Sequence, residues 1–395
     1  MFASQLFSKF EGKKERVREA GKVLLVTHND MDASGAVICL KEAFGRENVD
    51  VIHCSNAKMS MELRNAVTNP EVADHYDFIF GCDISCNAED AKEINRNPNK
   101  RKFILLDHHM TVDFLNQYPW AVINDRILQD TDRYRNYYIY NDVSLSDASS
   151  SGTSLMHDFL CQTMPEYAKK AKTNPVLNRI VEDVASYDTW DWVNVFQKKY
   201  VEPDELDTLF KIYDADVFED KMLDRIDSYD PKTYDYELFD DMDRFLLELE
   251  KRKVENFLQR AKGAIKVGTL KLKDQYLKVA FTTETSYIQE LFNYMRENIP
   301  DVDYYMINCG GVLSIRSTKP EMHAGKFAAL YGGGGHQGAA GINVSWEDQT
   351  NYVAGLLHGE IFLESKEERR ERLDAMKKLE EERKNADKED TDLEK

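Results

Sequence analysis

From residue 21 to about residue 125, short apolar runs alternate with stretches in which apolar residues recur at helical spacing. The runs fall at 23–26, 49–54, 78–82, 103–106 and 121–123. The first and fourth pack apolar residues without gaps between polar flanks, which suits strands covered on both faces. Between the first two, residues 33–44 keep Ala36, Val37, Leu40 and Phe44 at helical spacing. This alternation predicts an α/β fold built on a mainly parallel sheet with right-handed crossovers. Open sheets of that kind gather their chemistry at the carboxyl ends of the strands. Three of those ends carry acid or imidazole: His28-Asn29-Asp30-Met31-Asp32 follows the first run, Asp83 the third, and Asp107-His108-His109 the fourth.

A chain of 395 residues is too long for one ordinary core and suits two domains with additions. An amphipathic helix is expected over 1–20, a first α/β domain over 21–190, and an acidic helical connector over 191–264. A smaller α/β domain follows over 265–363, then a charged tail over 364–395. The polar, tyrosine-rich segment 125–146 interrupts the first domain as an excursion or lid, after which helices resume at 151–161 and 175–187. In the second domain strands are predicted at 276–281, 304–308 and 312–315, with helices at 288–295 and 346–363. The tail is almost all charge, which fits a solvated helix fraying into disorder.

A net charge of −19 argues against a protein that coats long nucleic acid with a broad basic face. It leaves room for a short anionic substrate held by metal ions and a few basic side chains, since much of the excess is crowded into residues 200–250. No apolar run reaches the roughly 20 residues that a membrane-spanning helix needs. The first 21 residues lack the continuous apolar core and small-residue cleavage site of a signal peptide. A cytoplasmic protein without membrane attachment is expected. The six cysteines are scattered, and Cys82-x-x-x-Cys86 has no second pair to complete a zinc site. They read as buried reduced thiols.

In His28-x-Asp30-x-Asp32 alternate side chains project the same way as long as the segment stays extended. Imidazole with hard carboxylate oxygens suits Mn2+, or with more open geometry Mg2+ or Zn2+, better than a soft thiolate metal. Asp83 and His108 can complete two adjacent sites with one carboxylate bridging. Metal ions about 3.5–4 Å apart activate a bridging water for in-line attack on phosphorus. Taken singly, Asp30 and Asp32 read equally as caps of the following helix; three such strand ends together favour metal. A fourth carboxylate is needed from residues 181–191. Asp188, just past a helical stretch and before a Trp-flanked turn, is the choice over Asp183, which can sit on the helix and pair with a surface base. In the second domain the run from Gly332 to Gly341 holds Gly333, Gly334, Gly335 and His336. Its glycines permit backbone conformations that aim N–H groups inward as an anion-binding nest. Arg316 and Ser317, on a strand just before it, offer a guanidinium suited to bidentate phosphate contact. Lys319 and Lys326 add positive charge nearby.

These residues resemble the four motifs of the DHH phosphoesterases: His28 to Asp32, Asp83, Asp107-His108-His109 and Asp188. Segments 314–317 and 332–341 resemble the C-terminal domain associated with that family. The likeness covers most of residues 21–190 and 265–345. It implies a two-metal site, usually Mn2+, that cleaves phosphodiesters at the end of a nucleic acid or in a small nucleotide. By that resemblance His28, Asp30 and Asp83 bind one metal, and Asp32, Asp83, His108 and Asp188 bind the other. Asp107 orients His108, and His109 contacts the scissile phosphate or assists the leaving oxygen. Arg316 and His336 hold a substrate phosphate across an interlobe cleft.

The form His-Asn-Asp-x-Asp and the Tyr-Asp-Thr-Trp-Asp-Trp segment look most like the oligoribonuclease branch, which degrades very short RNA to mononucleotides. The acidic connector, the 125–146 excursion and the tail do not map onto that branch. The implied partners are short single-stranded RNA or dinucleotides, with short DNA left open, and both monomer and homodimer are compatible with the sequence. Rival readings are a cyclic or linear dinucleotide phosphodiesterase and a RecJ-type single-strand DNA exonuclease. RecJ-type enzymes usually carry further nucleic-acid-binding modules and a more basic track. Family II pyrophosphatases share the first domain's chemistry but use a different basic signature in the second. A non-enzymatic scaffold of this fold typically loses metal ligands, whereas every expected ligand position here holds Asp or His.

Overall fold

Consecutive residues of a strand point to opposite faces of its sheet, and the gap-free apolar runs of this chain are buried on both. The computed structural model describes residues 6–126, 149–197, 200–233, 237–272, 275–335 and 337–345. Most of the tyrosine-rich excursion, the helix expected at 346–363, the charged tail and His336 lie outside the described residues. The chain divides into two units, Met1–Glu248 and Leu249–Lys395. Among the described residues no helix is long and apolar enough to cross a membrane.

The first unit is built on five strands: β1 (Val23–Thr27), β2 (Val49–His53), β3 (Phe78–Cys82), β4 (Phe103–Asp107) and β5 (Ala121–Ile123). They form an all-parallel sheet in the order β2-β1-β3-β4-β5. Leu24, Val26, Ile79, Phe103 and Leu105 enter one apolar cluster, and Val23, Leu25, Phe78, Phe80, Ile104 and Leu106 enter the other. Helix α1 (Met31–Phe44) joins β1 to β2 and covers the second of these faces. Helices α2 (Met59–Thr68) and α3 (Ala88–Arg96) cover the first, through Leu63, Ala66, Val67, Ala91 and Ile94. Helices α4 (Gly152–Thr163) and α5 (Pro175–Asp188) add to the layer on the α1 side. Fully burying each of these Leu, Ile or Phe side chains stabilises the fold by about 1.5–3 kcal/mol.

The amphipathic helix expected at the N-terminus is instead a 3-10 segment, Phe7–Lys13, followed by a short α-helix, Lys14–Glu19. Side chains at i and i+3 eclipse in a 3-10 helix. Phe7 and Phe10 therefore face the same way, each with its ring centroid 5.7 Å from that of Phe159. Lys13 reaches in to donate to the carbonyl oxygens of Lys100 and Phe103.

The acidic stretch forms α6 (Glu202–Ser228), broken at Asp214 where φ is 61°, and α7 (Asp241–Ala261). Leu206, Leu209, Phe218, Met222, Leu223 and Ile226 of α6 are buried in the first unit's core. The boundary between the two units falls within α7.

The second unit has a six-stranded mixed sheet: β6 (Lys266–Leu272), β7 (Gln275–Thr283), β8 (Tyr304–Asn308), β9 (Val312–Arg316), β10 (Gly334–Gly335) and β11 (Ala339–Asn343). The order is β10-β11-β9-β8-β7-β6, and among the described residues only β7 and β8 run parallel. A parallel pair needs a crossover, and α8 (Ile288–Asn298) provides it. Helix α9 (Ala324–Leu330) packs Ala324, Phe327 and Ala328 against the other face. Strands β6, β10 and β11 escape the apolar pattern because β6 alternates polar residues and the other two are mostly Gly and Ala.

Candidate metal centre

Register brings three functional strand ends to one level. Thr27 stands opposite Cys82, and Cys82 opposite Leu106, across the adjacent strands β1, β3 and β4. The next residues, His28, Asp83 and Asp107, therefore stand side by side at the carboxyl edge of the sheet. Asp83 does so with φ of 54°, a left-handed backbone uncommon outside glycine. Such strain clusters where surrounding structure over-determines a functional side chain.

The extended geometry expected through Asp32 ends earlier, because α1 begins at Met31. Asp30 is its N-cap, accepting the Ala33 N–H at 3.0 Å, while its other oxygen lies 2.8 Å from His28 Nδ1. Asp32 sits in the first helical turn, buried, and accepts the N–H groups of Gly152 (2.6 Å) and Thr153 (2.9 Å). It thus lies at the N-terminus of α4, where a helix favours negative charge.

His108 Nε2 lies 3.3 Å from Asp83 Oδ1 and 3.4 Å from Asp188 Oδ2. Asp107 does not hold the His108 ring, as the resemblance implied. Its Oδ1 takes the His108 backbone N–H at 2.8 Å and lies 2.8 Å from His109 Nδ1, so the ring it orients is that of His109. The short link from Asp107 to the next two residues leaves the His108 ring free to turn toward Asp83 and Asp188.

Among the described residues three sets of donor atoms result, in each of which all atoms lie within 4.8 Å of one another: His28, Asp30 and Asp83; Asp32, His108 and Asp188; and Asp83, Asp107, His108 and His109. Carboxylate oxygens and imidazole nitrogens suit Mn2+ or Mg2+. The fit to a cation shows in the buried atoms: among the described residues His108 Nε2, Asp107 Oδ2 and Asp188 Oδ2 have no hydrogen-bond partner. Buried polar groups are rarely left so.

Charge tells the same story. Burial, then the neighbouring Asp32 and Asp30, hold the carboxyls of both Asp83 and Asp188 well above the usual range. Burial also lowers the His108 imidazole, against the pull of Asp32. His109 is raised by its hydrogen bond to Asp107, and His28 by its bond to Asp30. Burial pushes the Asp30 carboxyl up, but the His28 bond and the Ala33 N–H outweigh it and leave it low. So many acids in one buried place repel one another until a cation joins them.

Asp183 is elsewhere engaged. It is buried, its Oδ2 is 2.7 Å from Arg179 Nε one turn back, and burial pushes its carboxyl up to about 7 despite that partner. Asp188→Asn is therefore expected to weaken Mn2+ binding more than about tenfold, since even outer partners of metal ligands are worth that much. Asp183→Asn should leave it within about twofold, as for independent sites. Calorimetric Mn2+ titration checks the order, and the reverse would exchange their roles.

Gly152 was not foreseen. A Cβ there would stand 2.6 Å from Asp83 Cβ and 2.9 Å from Asp32 Oδ2, so only glycine lets α4 approach both carboxylates. The one signal was the run of small residues from Ser149 to Ser154 ahead of an apolar helix.

In the second unit Arg316 ends β9, half-buried, with Nη1 2.9 Å from Ser314 Oγ and 3.3 Å from the Ile315 carbonyl oxygen. Burial lowers its guanidinium, and among the described residues it forms no salt bridge. Ser317 is engaged internally: its Oγ donates to the Asp303 carbonyl and accepts the Lys319 N–H. Lys319 pairs with Asp303 at 2.8 Å, which offsets the positive charge it adds there. The glycines answer first to backbone packing. A Cβ on Gly333 would meet the Gly341 carbonyl oxygen at 2.1 Å, and Gly335, at φ of 145°, would meet that of Ala339 at 2.4 Å. Gly334 has open space and is exposed.

No family model matches the chain. Oligoribonuclease NrnB of Bacillus subtilis (strain 168) is 29% identical over 333 residues, covering 84% of this chain and 75% of that protein. Among solved structures, the DHH domain of a member of a family of ribosomal proteins aligns with a TM-score of 0.53 and 12% identity. That alignment covers 91% of this chain and 93% of the other, and speaks for the fold alone. RecJ from Thermus thermophilus in complex with Mn2+ aligns with a TM-score of 0.49 and 14% identity, over 88% of this chain and 53% of that one.

Proposed function

We infer that this chain, a member of the DHH phosphoesterases, is a metal-dependent phosphodiesterase that hydrolyses short oligoribonucleotides to mononucleotides. The observation that carries the reading is the convergence of Asp83, His108 and Asp188 beside the ends of parallel strands. Two of the three place a buried atom there that has no hydrogen-bond partner among the described residues. Kinship with an oligoribonuclease supports the substrate class.

His28, Asp30 and Asp83 would hold one divalent ion, and Asp32, Asp83, His108 and Asp188 a second, with Mn2+ the preferred metal. When bound, such a pair lowers the pKa of water and neutralises charge that develops on the phosphoryl oxygens. The chain's own residues do the rest. Asp107 fixes the His109 ring and favours its protonated form, which equips it to give a proton to the leaving oxygen. Asp32, held by two α4 amides, keeps one face of the site rigid. Arg316, a half-buried cation without a carboxylate among the described residues, is assigned to a substrate phosphate, and His336 and the Gly333–Gly335 backbone to the same anion.

The test is Mn2+-dependent release of mononucleotides from an RNA trimer labelled at either end. Binding of the trimer without cleavage, with Mn2+ in excess, would sink the proposal. A parallel series of RNA and DNA oligomers from dimer upward reports polarity and sugar preference. Arg316→Ala is expected to raise KM about tenfold or more, the worth of a charge-assisted bond, with Mn2+ affinity unchanged. Loss of Mn2+ in that variant would remove Arg316 from substrate binding.

A further inference from the structure

Helix α6, drawn from the acidic stretch, turns Asp207 and, more deeply, Glu219 inward. Glu219 is 1% exposed. It accepts hydrogen bonds from Ser34 Oγ at 3.0 Å and Lys41 Nζ at 2.9 Å, both on α1. Its Oε1 also stands 3.7 Å from Nε2 of His53, the last residue of β2. A buried carboxylate is expensive even when paired, and simple packing would be served as well by an apolar residue.

The other side of the His53 ring meets the metal centre. Its Nδ1 lies 2.9 Å from the carbonyl oxygen of His28. A carbonyl only accepts, so Nδ1 carries the hydrogen and donates it. The ladder between β1 and β2 closes one residue earlier, with the Cys54 N–H on the Thr27 carbonyl. Past that point the His28 carbonyl needs a partner from outside the sheet, and the His53 side chain is that partner.

We propose that His53 is a positioning residue for the metal centre: its Nδ1–H fixes the backbone of His28, and hence the direction of its imidazole, while Glu219 stands beside the ring at 3.7 Å, too far for a hydrogen bond. The inference rests on the two-metal reading above. Through Ser34 and Lys41 the same carboxylate is tied to α1, the helix that carries Asp32. One residue of the acidic helix thus stands beside the support of one ligand and holds the helix of another, which gives that stretch of sequence a role in the site.

Mn2+ titration of the full chain, followed by electron paramagnetic resonance of the free ion, tests it. His53→Ala should weaken the tighter Mn2+ site by about 10–100-fold, the range for partners of metal ligands. His53→Asn sets an amide N–H where Nδ1 stands and should restore most of the affinity. His53→Gln sets it where Nε2 stands and should not. Asn and Gln differ by one methylene, so a purely structural role would not separate them in this order. Glu219→Gln should lose less than His53→Ala, and the double variant less than the two losses combined. Wild-type affinity in His53→Ala, or equal behaviour of the Asn and Gln variants, overturns the assignment while leaving the metal site standing. A wild-type chain that takes up no Mn2+ overturns the two-metal reading and this inference with it.

Discussion

Asp83→Ala is expected to stop hydrolysis, with kcat falling roughly a thousandfold or more. At about 1.4 kcal/mol per tenfold this is about 4 kcal/mol of barrier. Asp83 belongs to two of the three donor sets and touches the centre of the third through His108. On the two-metal reading, losing it removes a ligand from both ions. The same residue should have the opposite effect on metal-free stability. Burial and then Asp32 hold its carboxyl well above the usual range. The folded protein therefore keeps that proton to higher pH than the unfolded chain, whose carboxyl titrates near about 4. Its contribution is fully present below that pH and is lost as pH rises through the raised folded range. Without metal, stability should decline from acid toward neutral pH, and Asp83→Asn should melt higher than wild type at neutral pH. Mn2+ should reverse the order, adding about 2.7 kcal/mol to the wild type at one hundred times its Kd. Melting curves in chelator and in Mn2+ check this, and an Asp83→Asn variant that melts lower in chelator would count against the reading.

Gly152→Ala should be nearly as damaging to activity without touching a ligand. The new methyl would stand 2.6 Å from Asp83 Cβ and 3.2 Å from its Cα, and a backbone atom cannot swing aside as a flexible side chain can. Either α4 retreats and the Gly152 N–H leaves Asp32, or Asp83 shifts at the strand end. A displacement near 1 Å at a catalytic centre lowers rate by about a hundredfold, and overpacking of this kind destabilises by about 1–3 kcal/mol. Serine at the same position should behave alike. Near-normal turnover in Gly152→Ala would mean that α4 does not hold the two carboxylates. Activity and Mn2+ affinity measured together separate a misplaced site from an unfolded one.

Much of the first unit was legible because β1, β3, β4 and β5 are buried on both faces. Runs such as residues 103–106 leave no polar position to confuse the reading, and parallel strands deliver their ends to one edge. The N-terminal 3-10 turn was not legible, since Phe7 and Phe10 fit an α-helix equally well until Phe159 is placed beside them. Strands β6 and β11 were missed because strands with alternating or very small residues carry little apolar signal. The glycine run invited an anion nest, while close contact between β10 and β11 already accounts for Gly333 and Gly335.

What the sequence by itself determined was the parallel sheet and the acid and imidazole groups at its carboxyl edge, because strand periodicity and strand-end position are local properties. Which acid meets His108, which histidine Asp107 holds, and why residue 152 has no side chain were decided only by tertiary structure. Asp183 and Asp188 differ in sequence by little more than one helical turn, yet one meets Arg179 and the other His108. That choice, like the reach of Glu219 to His53, depends on groups far apart in the chain sharing a few ångströms of space, which no local pattern encodes.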